Sequence, residues 1–210
     1  IHETDVLVVG SGPGGLSAAI ASARCGVKTT LLERFGCFGG NITVVGVEGF
    51  AWYRHEKTVE AGGIGREFEE LAKEMGAAVP ESQSLSYELD SEGFKLVADK
   101  LVMDSGIHPM LHRSFSMPIM EGNSIIGVIV ESKAGREAIL SKVVIDATGD
   151  ADVAFRAGAQ LNTMPVEELM ATSVMFHLAG VDKKAFLSEI QNNPQSYKDW
   201  SDSEWEVETD

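Results

Sequence analysis

The sequence predicts an α/β fold with a parallel central sheet, and three neighbouring segments carry this prediction. Residues 5–10 (DVLVVG) are a nearly continuous β-branched run, typical of a parallel strand buried on both faces. Residues 14–24 are small and apolar, which suits a helix packed closely on a sheet and ended by Gly26. Residues 27–32 (VKTTLL) follow as a second strand. Strand, helix and strand within about thirty residues form a βαβ unit with a right-handed crossover.

The middle of the chain predicts two helices and then a β-meander. Residues 36–49 are rich in glycine and lack a sustained period, so we expect a loop with extended pieces across the carboxyl edge of the sheet. Residues 65–75 and 91–104 carry apolar side chains at helical spacing, and Asp90 or its neighbour can cap the second helix. Residues 107–145 hold apolar runs between turn signals, which indicates a meander.

The last part of the chain predicts a return to the sheet and then a second domain. We expect a return strand at 142–147, a short helix at 151–157, a strand at 170–179 and a helix at 183–190. The polar residues from 191 onward indicate an exposed or disordered acidic tail. The methionines of this part are interpreted as core residues: Met164, Met170 and Met175.

Composition narrows the classes of partner. The chain has 210 residues, 44% of them hydrophobic, and a formal net charge of −15. This charge repels phosphate backbones and anionic lipids, so we expect no nucleic-acid and no membrane partner. Cys25 and Cys37 are too few for a zinc site or a disulfide framework, which indicates a reducing compartment, and we expect the cytoplasm. No apolar run approaches the length of a membrane-spanning helix, so we also expect a soluble protein. An oligomer is compatible with this composition.

A glycine motif lies at the end of the first predicted strand. Residues 10–15 (GSGPGG) fit the pattern GxGxxG, which is weak alone but gains weight between a strand and a helix. Gly10 permits a sharp turn, Gly12 lets the backbone approach a pyrophosphate, and Gly15 allows close contact of helix and sheet. Pro13 fits the first helical turn, where its missing N–H costs little.

An acidic residue completes the pattern. Glu33 follows the second strand, and its carboxylate can accept hydrogen bonds from ribose hydroxyls, which selects against a 2′-phosphate. The alternative is an ordinary glycine-rich turn with Glu33 as a solvated surface acid. Since strand, helix, spacing and acid coincide, we favour dinucleotide binding.

Two further segments carry a resemblance to a known family. They are Glu33-Arg34 followed by residues 36–41 (GCFGGN), and residues 146–150 (DATGD). With the glycine motif, they make the chain similar to FAD-dependent oxidoreductases that have the glutathione-reductase type of dinucleotide fold. The resemblance is strongest to the group related to the flavoprotein subunits of fumarate and heterodisulfide reductases.

This resemblance implies a Rossmann-like FAD-binding domain with a β-meander, followed by the beginning of a substrate domain. The expected boundaries are 1–160 for the FAD-binding domain, with 44–104 partly an insert facing the substrate, and 161–210 for the substrate domain and tail. It also implies hydride transfer through the flavin to or from a small-molecule substrate. Family members continue beyond this length, so we expect a companion polypeptide to carry the C-terminal part.

The resemblance assigns cofactor contacts residue by residue. The expected cofactor-binding residues are Gly10, Gly12, Pro13, Gly14, Gly15, Glu33, Arg34, Gly39, Gly40, Asn41, Phe115, Ala147, Thr148, Gly149 and Asp150. Among them, Arg34 would lie at the adenine side and Phe115, after a strand ending near Arg113, would offer its backbone to adenine. Residues 39–41 would border the flavin, and residues 148–150 would close over the pyrophosphate and ribose.

Two alternatives to this function stay open from sequence. One is an enzyme similar to thiamine thiazole synthase, which uses the same fold on a nicotinamide nucleotide. The other is a non-catalytic flavin-bearing subunit that passes electrons to a partner.

No catalytic residue and no metal site can be assigned from the sequence. Cys37 is interpreted as a packed loop cysteine because it has no partner at CxxC spacing. His55, within the segment Trp52-Tyr53-Arg54-His55, could donate a proton, but an exposed loop histidine is favoured. His108 and His112 could share a strand face, yet a metal site needs a third ligand.

Overall fold

The computed structural model describes residues 1–50, 54–55, 58–59, 62–80, 86–170 and 172–193. Contacts divide the chain into two compact units, Ile1–Met175 and Phe176–Asp210, and each is described by itself. The functional boundaries expected at 160 and 161 remain a prediction. All the loops discussed below lie in the first unit.

Short elements alternate along the described chain. The strands are β1 (His2–Val9), β2 (Thr29–Leu32), β3 (Gly49–Phe50), β4 (Arg54–His55), β5 (Thr58–Val59), β6 (Ala78–Pro80), β7 (Tyr87–Leu89), β8 (His108–Met110), β9 (Ser114–Glu121), β10 (Ser124–Ser132) and β11 (Gly135–Asp146). The α-helices are α1 (Pro13–Arg24), α2 (Ile64–Glu74), α3 (Ser91–Asp104), α4 (Asp152–Arg156) and α5 (Lys183–Asn192). A π-helical turn covers Asn41–Val45 and a 3-10 turn covers Val166–Glu168.

Within the described residues the main sheet has six strands in the order β8-β2-β1-β11-β10-β9. Strands β8, β2, β1 and β11 are mutually parallel, whereas β10 and β9 are antiparallel. The predicted α/β fold, with a parallel core and a meander on one side, is therefore confirmed. Val9 lies opposite both Leu32 and Asp146, so the central strands end together at one carboxyl edge.

Strand β11 differs from its prediction. The sequence suggested a meander followed by a separate return strand at 142–147, but one strand extends from Gly135 to Asp146. Its first half pairs with β10, and its second half, from Ile139, pairs with β1. No turn residue interrupts the strand between these halves, and both partners offer free ladder positions. The meander and the parallel core therefore share one strand.

Two hydrophobic clusters of the described residues cover the two faces of the sheet. Successive side chains of a strand point to opposite faces, and β1 follows this rule. Val8 is buried in the cluster formed with α1 and α3, whereas Leu7 and Val9 are buried in the cluster formed with the meander and α4. Because β1 is covered on both faces, its nearly continuous apolar sequence is explained.

The C-terminal predictions are only partly confirmed. Helix α5 matches the predicted helix at 183–190 closely. The strand predicted at 170–179 was wrong, because the residues described there form no strand. The apolar side chains described there are exposed, so packing against a neighbouring element does not favour a strand. Met164, Met170 and Met175 are exposed as well, so their interpretation as core residues was wrong.

The acidic tail, from residue 194 onward, lies outside the described residues. In the part of the chain that is described, no helix combines the length and the apolar character that crossing a bilayer requires.

Truncating the centre of β1 tests this packing. Leu7 is fully buried, so we expect Leu7→Ala to lower the free energy of unfolding by about 2–5 kcal/mol through lost burial and a residual cavity. Urea denaturation with an unchanged m value measures the difference. The control is Leu96→Ala on α3, where the side chain is 61% exposed and a change within about 0.5 kcal/mol is expected. Equal losses for both variants would contradict the assigned core.

An ion pair joins α1 to α2 and gives a pH-dependent prediction. Arg24 donates from Nη1 to Glu67 Oε1 at 2.8 Å and from Nη2 to Oε2 at 2.7 Å. These hydrogen bonds hold the pKa of the Glu67 carboxyl below its ordinary value of 4.5. A carboxyl whose pKa is lowered by folding stabilises the fold above its unfolded pKa, and this stabilisation is lost as the pH falls.

We therefore expect Glu67→Gln to lower the free energy of unfolding at neutral pH by about 0.2–1 kcal/mol, since the pair is half-exposed and screened by solvent. The difference from the unaltered chain should shrink as the pH falls below 4.5. Thermal unfolding across a pH series measures it, with Glu74→Gln on the same helix as control. A difference that does not depend on pH would contradict the ion pair.

Candidate functional site

Three loops of the described chain meet at the carboxyl edge of the sheet. They are the glycine loop (Gly10–Gly15) after β1, the acid loop (Glu33–Gly40) after β2, and the third loop (Ala147–Ala151) after β11. Since β2 and β11 lie on opposite sides of β1, the glycine loop stands at a switch point of the strand order. Ligands of open α/β sheets bind in the crevice outside such a point.

The glycine loop leaves the N-terminus of α1 open. Gly12 is the N-cap residue and Pro13 occupies the first turn, and among the described residues no side chain caps this end and no acid lies in its first turn. A Cβ added at Gly12 or Gly14 would meet no described atom within 4 Å. The free backbone donors and the positive end of the helix dipole therefore face open space, which suits an anion.

Behind this opening the glycine loop is packed without spare room. A Cβ at Gly15 would lie 1.9 Å from the carbonyl oxygen of Gly10, and one at Gly10 would lie 2.3 Å from that of Ala147. Gly10 also has a φ of +96°, which side chains rarely adopt. Ala147 N donates to Val9 O at 2.9 Å, extending the β-ladder past the strand end. The contact fixes the glycine loop against the third loop.

Glu33 joins the acid loop to the glycine loop. Its side chain is buried, at 5% exposure, and its Oε2 accepts hydrogen bonds from Ser11 N at 3.0 Å and Ser11 Oγ at 2.6 Å. Its Oε1 accepts from Phe35 N at 2.9 Å. The alternative of a solvated surface acid does not fit this burial. A contact of Glu33 with ribose stays a prediction, and it would add to these three internal bonds.

The rest of the acid loop lies against the glycine loop. Gly39 N donates to Ser11 O at 2.9 Å, and a Cβ at Gly40 would lie 2.7 Å from Gly12 Cα. Asn41 is exposed and begins the π-helical turn, so the expected extended loop is partly helical. Thr43 Oγ1 donates to Phe38 O at 2.6 Å and closes this turn.

Asp146 holds the third loop. Its Oδ1 accepts from Thr148 N at 3.1 Å and Thr148 Oγ1 at 2.8 Å, and its Oδ2 accepts from Ala154 N at 2.9 Å. Thr148 Oγ1 in turn accepts from Asp152 N at 2.9 Å, at the start of α4. Gly149 and Asp150 remain exposed at the tip. This loop is therefore a fixed turn with a free tip.

Two of the expected cofactor-binding residues, Phe115 and Asn41, lie outside the three loops, whereas Arg34 lies within the acid loop. Phe115 belongs to β9, where it pairs with Val130 and packs against the cluster on the meander side of the sheet. The preceding strand ends at Met110 and not near Arg113, although Arg113 N donates to Glu33 O at 3.0 Å. Arg34 is exposed, and its guanidinium lies 4.7 Å from the centre of the Phe35 ring.

The candidate reactive side chains whose surroundings the structure describes are His108, His112 and Cys37. His108 begins β8, whereas His112 lies beyond its end with a φ of 55°, so the expectation of a shared strand face was wrong. The His112 ring packs where a Cβ on Gly36 would lie. Cys37 is half-buried with Sγ 3.9 Å from Thr43 Oγ1. In the described ranges, no group of three His, Cys, Asp or Glu side chains could hold a metal ion.

The segment around His55 lies largely outside the described residues. Trp52 and Tyr53 are among the residues not described, and for Arg54 and His55 only the backbone strand β4 is described. The proton-donor hypothesis for His55 therefore stays a prediction.

Sequence reasoning missed two residues that hold the loops. Ser11 was treated as a variable position between glycines, yet it is fully buried and contacts Glu33. Asp146 was read as part of a turn motif, yet its carboxylate accepts three hydrogen bonds. In both cases the signal was a polar residue at the carboxyl end of a central strand, where its side chain can reach the neighbouring loop.

Comparison with known proteins identifies a matching family model and a curated relative of this chain. The family model described as FAD dependent oxidoreductase matches residues 5–210. The thiamine thiazole synthase of Metallosphaera sedula is 33% identical over 160 residues, which cover 71% of this chain and 55% of that protein. The chain thus spans little more than half the length of this curated relative.

Solved structures share the fold. THI4 of Thermovibrio ammonificans superposes with a TM-score of 0.55 at 20% identity, covering 73% of this chain and 61% of that chain. L-proline dehydrogenase from P. horikoshii superposes with a TM-score of 0.56 at 14% identity, covering 77% and 57%. At such identities the likeness concerns the fold alone.

Alanine substitutions in the glycine loop test the packing behind the opening. We expect Gly15→Ala to lower the free energy of unfolding by about 1–3 kcal/mol, because its Cβ would overlap the Gly10 carbonyl. Gly14→Ala is the matched control on the same helix, where open space predicts no loss and a gain of up to about 1 kcal/mol. Thermal unfolding of both variants measures the difference. If Gly14→Ala cost as much as Gly15→Ala, the geometry of the loop would be wrong.

Proposed function

The chain belongs to the family of FAD dependent oxidoreductases, and we propose that it binds FAD with the diphosphate at the N-terminus of α1 and acts on a small molecule. FAD is the cofactor of this family. One observation carries the placement: the uncapped helix end opens, at Gly12 and Gly14, onto space that no described atom fills. A glycine without a side chain lets a diphosphate reach the backbone donors there.

The proposed diphosphate site also fits the charge of the chain. The formal net charge of −15 opposes binding of an anion, so the site must supply local positive potential. Backbone N–H groups and the helix dipole supply it without a basic side chain. This explains how a dinucleotide can bind an acidic protein at this edge of the sheet.

The other two loops complete the proposed site. Glu33, held next to the glycine loop, is placed to accept a hydrogen bond from the adenosine ribose. Gly39 and Gly40, which contact the glycine loop, would border the middle of the cofactor. The exposed tip at Gly149 and Asp150 would approach the diphosphate and ribose from the side of β11.

This arrangement assigns different roles to the cofactor and to the residues of the chain. When bound, FAD supplies the two-electron chemistry, and the residues of the chain bind and orient it. The tight contact of Gly10, Gly15 and Ala147 keeps the cradle rigid, so that little ordering is needed on binding. That the substrate is a small molecule is also part of this proposal.

A second candidate function is that of thiamine thiazole synthase. It is favoured by the 33% identity to the Metallosphaera sedula enzyme over 160 residues. In this alternative the same three loops would bind a nicotinamide nucleotide, and the adenosine half would occupy the same place. The two functions therefore differ in the chromophore that the protein carries.

The visible spectrum of the purified protein tests the proposed cofactor. We expect a yellow protein with flavin absorbance that releases FAD after acid denaturation, because the contacts proposed for the three loops are hydrogen bonds, which are lost when the chain unfolds. Chromatography of the released compound against FAD and nicotinamide nucleotides measures its identity. A colourless protein that releases a nicotinamide nucleotide would favour the second candidate, and one that binds neither FAD nor any nucleotide would exclude both.

A bulky residue at the opening tests the proposed placement. We expect Gly12→Leu to weaken FAD binding at least about tenfold, which is about 1.4 kcal/mol, because the side chain would fill the space before the helix end. Titration of the flavin-free chain with FAD, followed by flavin fluorescence, measures the affinity. The control is Gly65→Leu on α2, where open space also surrounds the Cβ. Undiminished FAD binding by the folded Gly12→Leu variant would place the cofactor elsewhere.

A further inference from the structure

Ser11 and Glu33 form a buried pair whose geometry limits how the site reads a ribose. We propose that Ser11 is a positioning residue, which fixes the Glu33 carboxylate so that it accepts a hydrogen bond from only one of the two ribose hydroxyls of adenosine. This rests on the proposed FAD binding and adds to it the way in which adenosine is recognised.

The pair is held on several sides. Ser11 is fully buried between two glycines, and Glu33 is 5% exposed. Ser11 contacts one carboxylate oxygen twice, from its backbone N at 3.0 Å and its Oγ at 2.6 Å. The backbone N of Phe35 contacts the other oxygen at 2.9 Å. A carboxylate fixed through both oxygens cannot turn about its last bond without losing these hydrogen bonds.

The number of free acceptor positions on the Glu33 carboxylate determines how many ribose hydroxyls it can bind. A carboxylate has about four lone-pair positions, two on each oxygen. Within the described part of the chain, Ser11 occupies both positions on Oε2 and Phe35 occupies one on Oε1. On Oε1 one position receives no hydrogen bond from the described residues, and we assign this position to a ribose hydroxyl. Adenosine ribose carries two neighbouring hydroxyls, so a single acceptor position distinguishes them.

The hydroxyl of Ser11 is the part of this arrangement that a substitution can remove. Its backbone N–H is fixed by the fold, and so is that of Phe35. Without Oγ, a second acceptor position opens on Oε2 and the carboxylate gains freedom to turn. Ser11 would then influence which ribose hydroxyl is read, without touching the ribose itself.

Adenine nucleotides that lack one hydroxyl test this. We would titrate the flavin-free full chain with ADP, 2′-deoxy-ADP and 3′-deoxy-ADP by calorimetry. A hydrogen bond to a charged acceptor predicts a loss of about tenfold or more for one deoxy nucleotide and of less than about threefold for the other. Losses of about tenfold for both, or for neither, would overturn the proposal.

The variant Ser11→Ala assigns the effect to the serine. We expect it to bring the two deoxy nucleotides within about threefold of each other, because the carboxylate is no longer restricted to one acceptor position. A serine that only stabilises the fold would lower the thermal midpoint and leave this ratio as in the unaltered chain, and that result would overturn the role of Ser11. The control is Ser22→Ala at the far end of α1, which should keep the original ratio.

The design separates this proposal from the proposed function. If the unaltered chain binds FAD but reads both hydroxyls alike, the selectivity is refuted and FAD binding stands. If the unaltered chain binds neither FAD nor ADP, both are refuted. Because the deoxy nucleotides are compared on the unaltered chain, this part of the test does not depend on the folding of a variant.

Discussion

The close contact of Gly10, Gly15 and Ala147 is the constraint on which the rest of the site depends. The backbone of the first helix can approach the sheet only because a Cβ is missing where it would lie 1.9 Å from a carbonyl oxygen. This approach brings the helix end to the carboxyl edge, beside the ends of β2 and β11. The loops that follow those strands are then close enough to contact the glycine loop. A side chain at Gly15 would overlap the Gly10 carbonyl and so strain this contact.

Two carboxylates stabilise what the glycines allow. Glu33 follows strand β2 and Asp146 ends strand β11, and each carboxylate accepts three hydrogen bonds from neighbouring backbone or hydroxyl groups. Burying a carboxylate, as at Glu33, is costly unless its acceptor positions are filled, so the buried acid is stable only while the loops keep their shape. The carboxylates therefore hold the loops through hydrogen bonds, and the loops in turn hold the carboxylates in place. This mutual support makes the site rigid before a ligand binds.

Local patterns predicted most of the fold, and long-range contacts account for the differences. The helix of residues 13–24 and the strands around it were predictable because glycines and apolar runs mark their ends. The length of β11 was not, because it depends on pairing with a strand at the other end of the sequence. The roles of Ser11 and Asp146 were missed for the same reason, since their partners lie in other loops. The strand predicted at 170–179 was wrong because an apolar sequence alone does not provide a sheet edge with which it could pair.

The shared strand β11 also bears on how the chain reaches its fold. The register that pairs His2 with Ile139 joins residues that are far apart in the sequence, so the central ladder closes a very large loop. Such a topology has a high contact order, and its folding is slow because loop-closure entropy is lost before the pairing is gained. During synthesis β1 emerges before β11 and is without this neighbour until the meander has been made. The open edge of β1 is thus a point where a chaperone or an aggregation partner could compete with β11.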